Sequence, residues 1–269
     1  MVRTSLSLLA LLLVSAAPPP PQPRIVSINP CIDAVLMQVA DPRQIAGISH
    51  YSQDPRATSI PVGQARRFHA TSGTAEEVVA LAPDTVLSGP HVNPATLAAL
   101  KRLRIAVVQY PVPETVEESE AQVRAIAAIA GRAERGAALA ARIDAAARPT
   151  AAAPVPALIW QGGGLVPGQG TLADQLLTRA GFRNMSAAYG LKQWDVLPLE
   201  YLVARPPRVL LSVGAAEAGG DRLTGHPAIR RLARRITVAA YPARLMNCGG
   251  PTIIAAMARL NSVRRAVRS

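Results

Sequence analysis

The same short pattern occurs twice in this chain of 269 residues. Residues 76–88 read EEVVALAPDTVLS and residues 200–212 read EYLVARPPRVLLS, and the two copies align without a gap. Each begins with an acid, continues with an apolar run, has a proline at the eighth position and ends in serine. Because proline disfavours helical geometry in the residue before it, each copy predicts a short helix that ends and leads into a strand.

Strand-like and helix-like runs alternate around both copies, and an alanine-rich helical stretch without a strand pattern separates them. Such alternation is typical of parallel sheets covered by helices. The sequence therefore predicts an α/β fold with parallel-rich sheets in two lobes. The N-terminal lobe covers 24–113, a helical connector covers 114–150 and the C-terminal lobe covers 151–269. In such sheets a cleft lies beyond the carboxyl ends of the strands, here between the lobes.

The N-terminus predicts export. One arginine precedes an apolar run from Leu6 to Val14, and small residues follow, which is the layout of a cleavable secretory signal over 1–17. The run is short for a membrane span, which needs about 20 residues, although an uncleaved anchor remains the alternative. A proline-rich spacer follows at 18–23. We expect a soluble periplasmic protein.

The net charge of +12 comes from scattered arginines, since lysine occurs only at Lys101 and Lys192. Nucleic-acid binders concentrate basic residues in patches, often with aromatic residues between them. Such a patch is missing from this sequence, so we expect no nucleic-acid partner.

Motifs for nucleotide binding and for serine hydrolysis are incomplete. The glycine-rich stretch QGGGLVPGQGT at 161–171 lacks the lysine and the hydroxyl residue of a phosphate-binding loop. The stretch GISHY at 47–51 lacks the second glycine of a nucleophile elbow. The sequence therefore favours neither nucleotide binding nor serine hydrolysis, and we assign no catalytic residues.

The four histidines lack the paired spacing of a zinc site. His50 and His91 both follow predicted strands, so they either contribute to a metal site assembled across the fold or line a cleft as ordinary polar residues. Tyr51, Trp160 and Trp194 are candidate walls for a large flat or ring-shaped ligand, and the alternative for the two tryptophans is packing in the core.

Cys31 and Cys248 are the two cysteines. In an oxidising compartment they either form a disulfide or remain two small buried residues, and the sequence leaves both open.

Glu76 and Glu200 begin the two copies of the repeated pattern. The helix dipole favours an acid in the first turn and explains a single case. Two acids in matching registers indicate an exposed pair, one on each lobe, that suits a two-fold symmetric basic partner.

At this point the residues show a family resemblance. The stretches RIVSINPCIDAVLMQVAD, IAGIS, GTAEEVVALAPDTVLSG and RIAVVQYPVPETVEE, in this order, resemble the periplasmic substrate-binding proteins of vitamin B12 and ferric-siderophore ABC importers. The later stretches GFRNM and QWDVLPLEYLVARPPRVLLSV are similar to the second lobe of that family. The resemblance covers about 24–261.

This resemblance implies two α/β lobes bridged by a single long connecting helix, with little hinge motion and a shallow cleft. It implies a monomeric receptor that is not an enzyme and has no cofactor of its own, and that captures a metal chelate and delivers it to an ABC permease dimer. The expected chelate is a ferric siderophore or cobalamin, with haem less favoured. In the family, one glutamate per lobe docks onto arginines of the permease, and Glu76 and Glu200 match that pattern. The alternative is a free-metal (zinc-type) binding protein or a chelate-handling enzyme that uses cleft histidines.

The expected cleft residues follow from the positions of loops after predicted strands. If the loops that carry the cysteines face the cleft, those cysteines close a bridge or touch the ligand. The set consists of Asn29, Cys31, His50, Tyr51, Pro90, His91, Trp160, Gly162, Gly163, Trp194 and Cys248. None of these is assigned as a direct metal ligand.

Overall fold

The computed structural model of the chain describes residues 22–213 and 227–267. The expected signal segment and most of the proline-rich spacer lie outside these residues. In the described ranges, no helix has both the length and the apolar character that a membrane span requires.

The N-terminal lobe contains a parallel sheet whose strands are joined by helices, as predicted. Its inner strands are buried at almost every residue, as is typical of a parallel sheet with helices on both faces. In spatial order the strands are β3 (Ala70–Thr71), β2 (Ile45–Ser49), β1 (Ile25–Ser27), β4 (Thr85–Ser88) and β5 (Ala106–Gln109). The helices are α1 (Pro30–Val39), α2 (Val62–Ala65), α3 (Ala75–Ala80) and α4 (Pro94–Arg102).

The C-terminal lobe has a second parallel sheet and a small antiparallel pair of strands. The parallel sheet has the order β11 (Thr237–Ala240), β10 (Val209–Ser212), β6 (Val155–Trp160) and β8 (Phe182–Asn184). The antiparallel pair consists of β7 (Leu165–Pro167) and β9 (Trp194–Val196). The helices are α7 (Leu172–Arg179), α8 (Leu199–Ala204), α9 (Pro227–Leu232) and α10 (Thr252–Ala266).

Both copies of the repeated pattern form the predicted helix and strand. The first copy gives α3 and β4, and the second gives α8 and β10, with every boundary shifted by the same number of residues. Val78 and Leu202 occupy the same place in their helices and are fully buried. The α/β prediction with parallel-rich sheets is therefore confirmed, and the repeat marks equivalent places in the two lobes.

The connector is a hairpin of two helices, α5 (Val116–Ile129) and α6 (Ala133–Ala146), which corrects the expectation of a single long helix. The helical path is interrupted at Gly131, whose φ of 64° lies in the left-handed region that favours glycine. The two helices then pack closely: a Cβ added at Gly136 would lie 2.4 Å from the Cβ of Ala127.

One hydrophobic core extends through both lobes and the hairpin. It includes Leu36 of α1, Ile126 of α5, Ile143 of α6 and Met257 of α10, all fully buried. Helix α1 contacts both hairpin helices, and α10 contacts α6 and α7. The hairpin is therefore part of a shared interior that fixes one lobe against the other.

Asp33, in the first turn of α1, is a fully buried acid. The backbone amide of Ser49 donates to its Oδ2 at 2.9 Å and the Ser52 hydroxyl donates to the same oxygen at 2.6 Å. Its Oδ1 accepts no hydrogen bond from the described residues. Burial raises the pKa of Asp33 to about 7, against the lowering effect of the serine hydrogen bonds.

Asp33 is expected to make stability depend on pH. The carboxyl has a pKa of 3.8 when exposed and about 7 in the folded protein, so the folded state binds the extra proton between these values. Stability should therefore fall as pH rises from about 4 to 7 and level off above that. Asp33→Asn keeps an acceptor for Ser49 and Ser52 and removes the ionisation, so its melting temperature should fall less over this range. The exposed Asp144→Asn is the control, and equal pH slopes in wild type and Asp33→Asn would contradict the assignment.

Candidate binding cavity

A cavity of about 440 Å³ lies between the two lobes. The N-terminal lobe lines it with residues that follow β1, β4 and β5, including Asn29, Pro90 and Tyr110. The C-terminal lobe lines it with Trp194 of β9 and Tyr241, which follows β11. These positions agree with the rule that ligands of open α/β sheets bind beyond the carboxyl ends of the strands. The volume falls within the range of ordinary small-molecule pockets, about 300–1,000 Å³.

Helices from both lobes begin at the cavity wall. Asn29 caps α1 by accepting hydrogen bonds from the amides of Cys31 and Ile32 at 2.9 and 3.2 Å. Thr171 caps α7 by accepting from the amide of Asp174 at 3.2 Å. Because side chains of the wall satisfy these helix ends, the loops that carry the lining residues hold a defined shape.

A disulfide between Cys31 and Cys248 crosses from one lobe to the other at the cavity wall. It joins the first turn of α1 to the segment before α10, with the two Cα atoms 5.1 Å apart. The adjoining Gly250 has a φ of 59°, and a Cβ there would lie 2.8 Å from a methyl of Val35. Its amide donates to the Ser119 hydroxyl at 2.6 Å. The structure thus selects the bridge from the two alternatives for these cysteines.

Trp194 is held at the cavity rim by an unusual backbone. Gln193, the residue before it, has a φ of 46°, which is uncommon for a residue other than glycine. The opposite strand approaches so closely that a Cβ at Gly168 would lie 2.3 Å from the carbonyl oxygen of Gln193. Trp194 remains 45% exposed. Strain of this kind is concentrated at functional sites.

The lining carries few charged groups. Glu114 contributes a carboxylate and His91 an imidazole, and the described lining contains no lysine or arginine. Tyr110 is half-buried, and burial raises the pKa of its phenol. The cavity is therefore a mainly neutral, partly aromatic recess with separate polar groups, as is typical of small-molecule sites.

The structure brings some of the expected cleft residues to this cavity. The ones that line it are Asn29, Cys31, Pro90, His91, Trp194 and Cys248.

His50 and Tyr51 lie elsewhere, because they follow β2 and β1 separates that strand from β4. Nδ1 of His50 lies 3.2 Å from the carbonyl oxygen of Thr71, and its ring centroid lies 4.1 Å from that of Tyr51.

Trp160, Gly162 and Gly163 are also absent from the lining. Trp160 is buried in a core cluster with Leu158 and Leu210, which corresponds to the core alternative for this residue. The tryptophan that lines the cavity is Trp194, which lies in β9 of the antiparallel pair.

Sequence reasoning missed Tyr110, Glu114 and Tyr241. A signal for the tyrosines exists, because each is followed by proline directly after the last strand of its sheet, as QYP and AYP. This second repeat places one tyrosine from each lobe in the cavity wall.

A histidine-based metal site is not supported by the described residues. They contain no group of three or more His, Cys, Asp and Glu side chains that could hold an ion. His91 lines the cavity while His50 does not, and both cysteines are consumed by the disulfide.

The two acids of the repeated pattern are exposed in the first turns of α3 and α8. Next to the first acid, Glu77 accepts from the Ser72 amide at 2.6 Å and from the Thr71 hydroxyl at 2.8 Å. These hydrogen bonds hold the pKa of Glu77 below its ordinary value. Glu77 therefore stabilises the local loop and Glu76 faces solvent, as Glu200 does on the other lobe.

The disulfide is expected to stabilise the fold because it restricts the unfolded chain over a separation of 217 residues. The double variant Cys31→Ser/Cys248→Ser should lose about 2–4 kcal/mol in denaturant unfolding. Titration of the denatured, unreduced wild type should find no free thiol. Two free thiols, or unchanged stability of the variant, would contradict the bridge.

Comparison with known proteins supplies independent findings. A family model described as periplasmic binding protein matches residues 25–233. No curated protein matches the chain.

Solved structures match over almost the whole chain. The heme-binding protein RhuT from Roseiflexus sp. RS-1 has a TM-score of 0.67 at 22% identity, covering 91% of this chain and 100% of its own. The vitamin B12 binding protein BtuF of Vibrio cholerae has a TM-score of 0.69 at 18% identity, with coverages of 91% and 98%. The heme binding protein HutB of Vibrio cholerae has a TM-score of 0.71 at 18% identity, with coverages of 89% and 98%. At these identities the likeness establishes the fold.

Proposed function

This chain belongs to the periplasmic binding protein family, and we propose that it captures a metal chelate and delivers it to an ABC importer. Its family consists of solute-binding proteins rather than enzymes. The observation that carries the proposal is the cavity between the lobes, which residues of both sheets line at their carboxyl ends. Structures with the same fold are named for binding heme and vitamin B12. We propose a ferric siderophore, cobalamin or haem as the ligand.

The lining suits a chelate better than a bare ion. A chelate arrives with the metal already coordinated, so the receptor needs apolar and aromatic contacts rather than a cluster of metal ligands. Trp194 and Tyr110 offer aromatic faces on opposite lobes, and His91 and Glu114 offer separate polar contacts. Aromatic faces of this kind pack well against a large ring-shaped ligand.

Chelate binding should quench the fluorescence of Trp194. The chain has two tryptophans, and Trp160 is buried, so Trp160→Phe leaves only the rim tryptophan as a reporter. Titration of this variant with cyanocobalamin, haemin and a ferric hydroxamate siderophore should give saturable quenching for one of them. Equilibrium dialysis should recover that chelate unchanged.

Zinc chloride serves as the control ligand in the same titration. If zinc is retained while all three chelates pass through, the protein binds free metal and the proposal is wrong. Consumption of a chelate during dialysis would identify an enzyme instead.

The proposed partner is the permease dimer, and Glu76 and Glu200 are the residues proposed to contact it. Each acid is exposed in the first turn of its short helix, one in each lobe. Exposed acids in equivalent places suit a partner whose two halves carry equivalent basic groups. The receptor acts in the periplasm, as its family does, and residues 1–17 are proposed to be the signal that directs it there.

Charge reversal at both acids should separate delivery from capture. Glu76→Arg together with Glu200→Arg should abolish chelate uptake in cells and leave chelate affinity within about twofold of wild type, because neither acid lines the cavity. The matched control is Glu134→Arg with Asp144→Arg, which reverses two exposed acids of α6. A collapse of chelate affinity in the first variant would show that the acids serve the cavity.

A further inference from the structure

The two short helices that carry the proposed docking acids also expose a valine each. Val79 and Val203 stand three residues after Glu76 and Glu200 and are 38% and 41% exposed. Residues three apart lie on the same face of a helix. Each lobe therefore presents an acid and an apolar side chain side by side.

The repeated helices are identical at most exposed positions and differ where they are buried. The exposed pairs Glu76 and Glu200, Val79 and Val203, and Ala80 and Ala204 are identical, whereas the buried pair is Val78 and Leu202. Packing alone produces the opposite pattern, because burial restricts side chains and exposure leaves them free to differ. The two helices are therefore most alike on the surface that faces solvent.

The exposed pair that differs, Glu77 and Tyr201, has a local explanation on the N-terminal lobe. Glu77 is engaged with Thr71 and Ser72, as described above, so its carboxylate serves its own loop. The remaining shared positions form a small acidic and apolar surface on each lobe, which we call the docking pads. One pad consists of Glu76, Val79 and Ala80, and the other consists of Glu200, Val203 and Ala204.

We propose that the docking pads bind the permease through apolar contact as well as charge, with Val79 and Val203 seated against equivalent apolar positions of its two subunits. This inference rests on the proposed function. Two like surfaces, one on each lobe, fit a two-fold symmetric partner, because each pad then meets the same surface of one subunit. The small Ala80 and Ala204 allow close approach of the partner beside each valine.

The test replaces both valines by threonine, which keeps the branched shape and adds a polar hydroxyl. Val79→Thr with Val203→Thr should weaken binding of the chelate-loaded receptor to purified permease by about tenfold. Its chelate affinity and melting temperature should equal those of wild type. Leu103→Thr, at an exposed apolar residue outside the pads, is the control and should dock normally.

Salt separates the apolar contribution from the electrostatic one. The defect of the valine variant should persist at about 1 M salt, where charge interactions are screened within about 3 Å. Normal docking of the valine variant, alongside failed docking of Glu76→Arg/Glu200→Arg, would overturn this inference and leave the proposed function intact. Normal docking of both variants would overturn this inference and also the docking role proposed for Glu76 and Glu200. Loss of chelate affinity in the valine variant would also overturn the inference, since it would place these residues in capture.

Discussion

The bond between Cys31 and Cys248 fixes the distance between the lobes at the wall of the cavity. Around it, α1 and the α5–α6 hairpin share one core with α10, so covalent and hydrophobic attachment act at the same place. A binding protein built this way presents a nearly formed site, and little of the binding energy of a ligand is spent on ordering the lobes. The same attachment keeps the proposed docking pads at a constant separation, as the proposed symmetric partner would require.

Local sequence signals predicted the fold well. Each proline of the repeated pattern ends a helix, and each apolar run after it forms a buried strand, so the two α/β lobes follow from rules that act over a few residues. The connector was predicted less well, since Gly131 alone does not reveal that the chain turns back there. That turn is stabilised by the close contact of Gly136 with Ala127, which depends on tertiary packing.

For the candidate site too, local patterns predict which residues follow strands, whereas the tertiary fold determines which of these residues line the cavity. Asn29 and His91 both line the cavity because they follow strands that lie next to each other in the sheet. His50 also follows a strand, but the strand order places it beyond β1 and away from the cavity. Trp194 reaches the rim only through the antiparallel pair of β7 and β9, and periodicity did not predict that pair. Strand order therefore determines which loops line the cavity, and local sequence patterns do not reveal strand order.

Cys31 and Cys248 are the only cysteines in this sequence, and this has a consequence for how the protein matures. A chain with four cysteines has three ways to pair them, and a chain with two has one. No incorrect bridge can form within a single molecule, so an oxidase suffices and an isomerase has no error to correct. An incorrect disulfide can still form between two molecules. Cys31 is synthesised 217 residues before its partner, and until Cys248 follows, oxidation can join its thiol only to a neighbouring chain or to a small thiol.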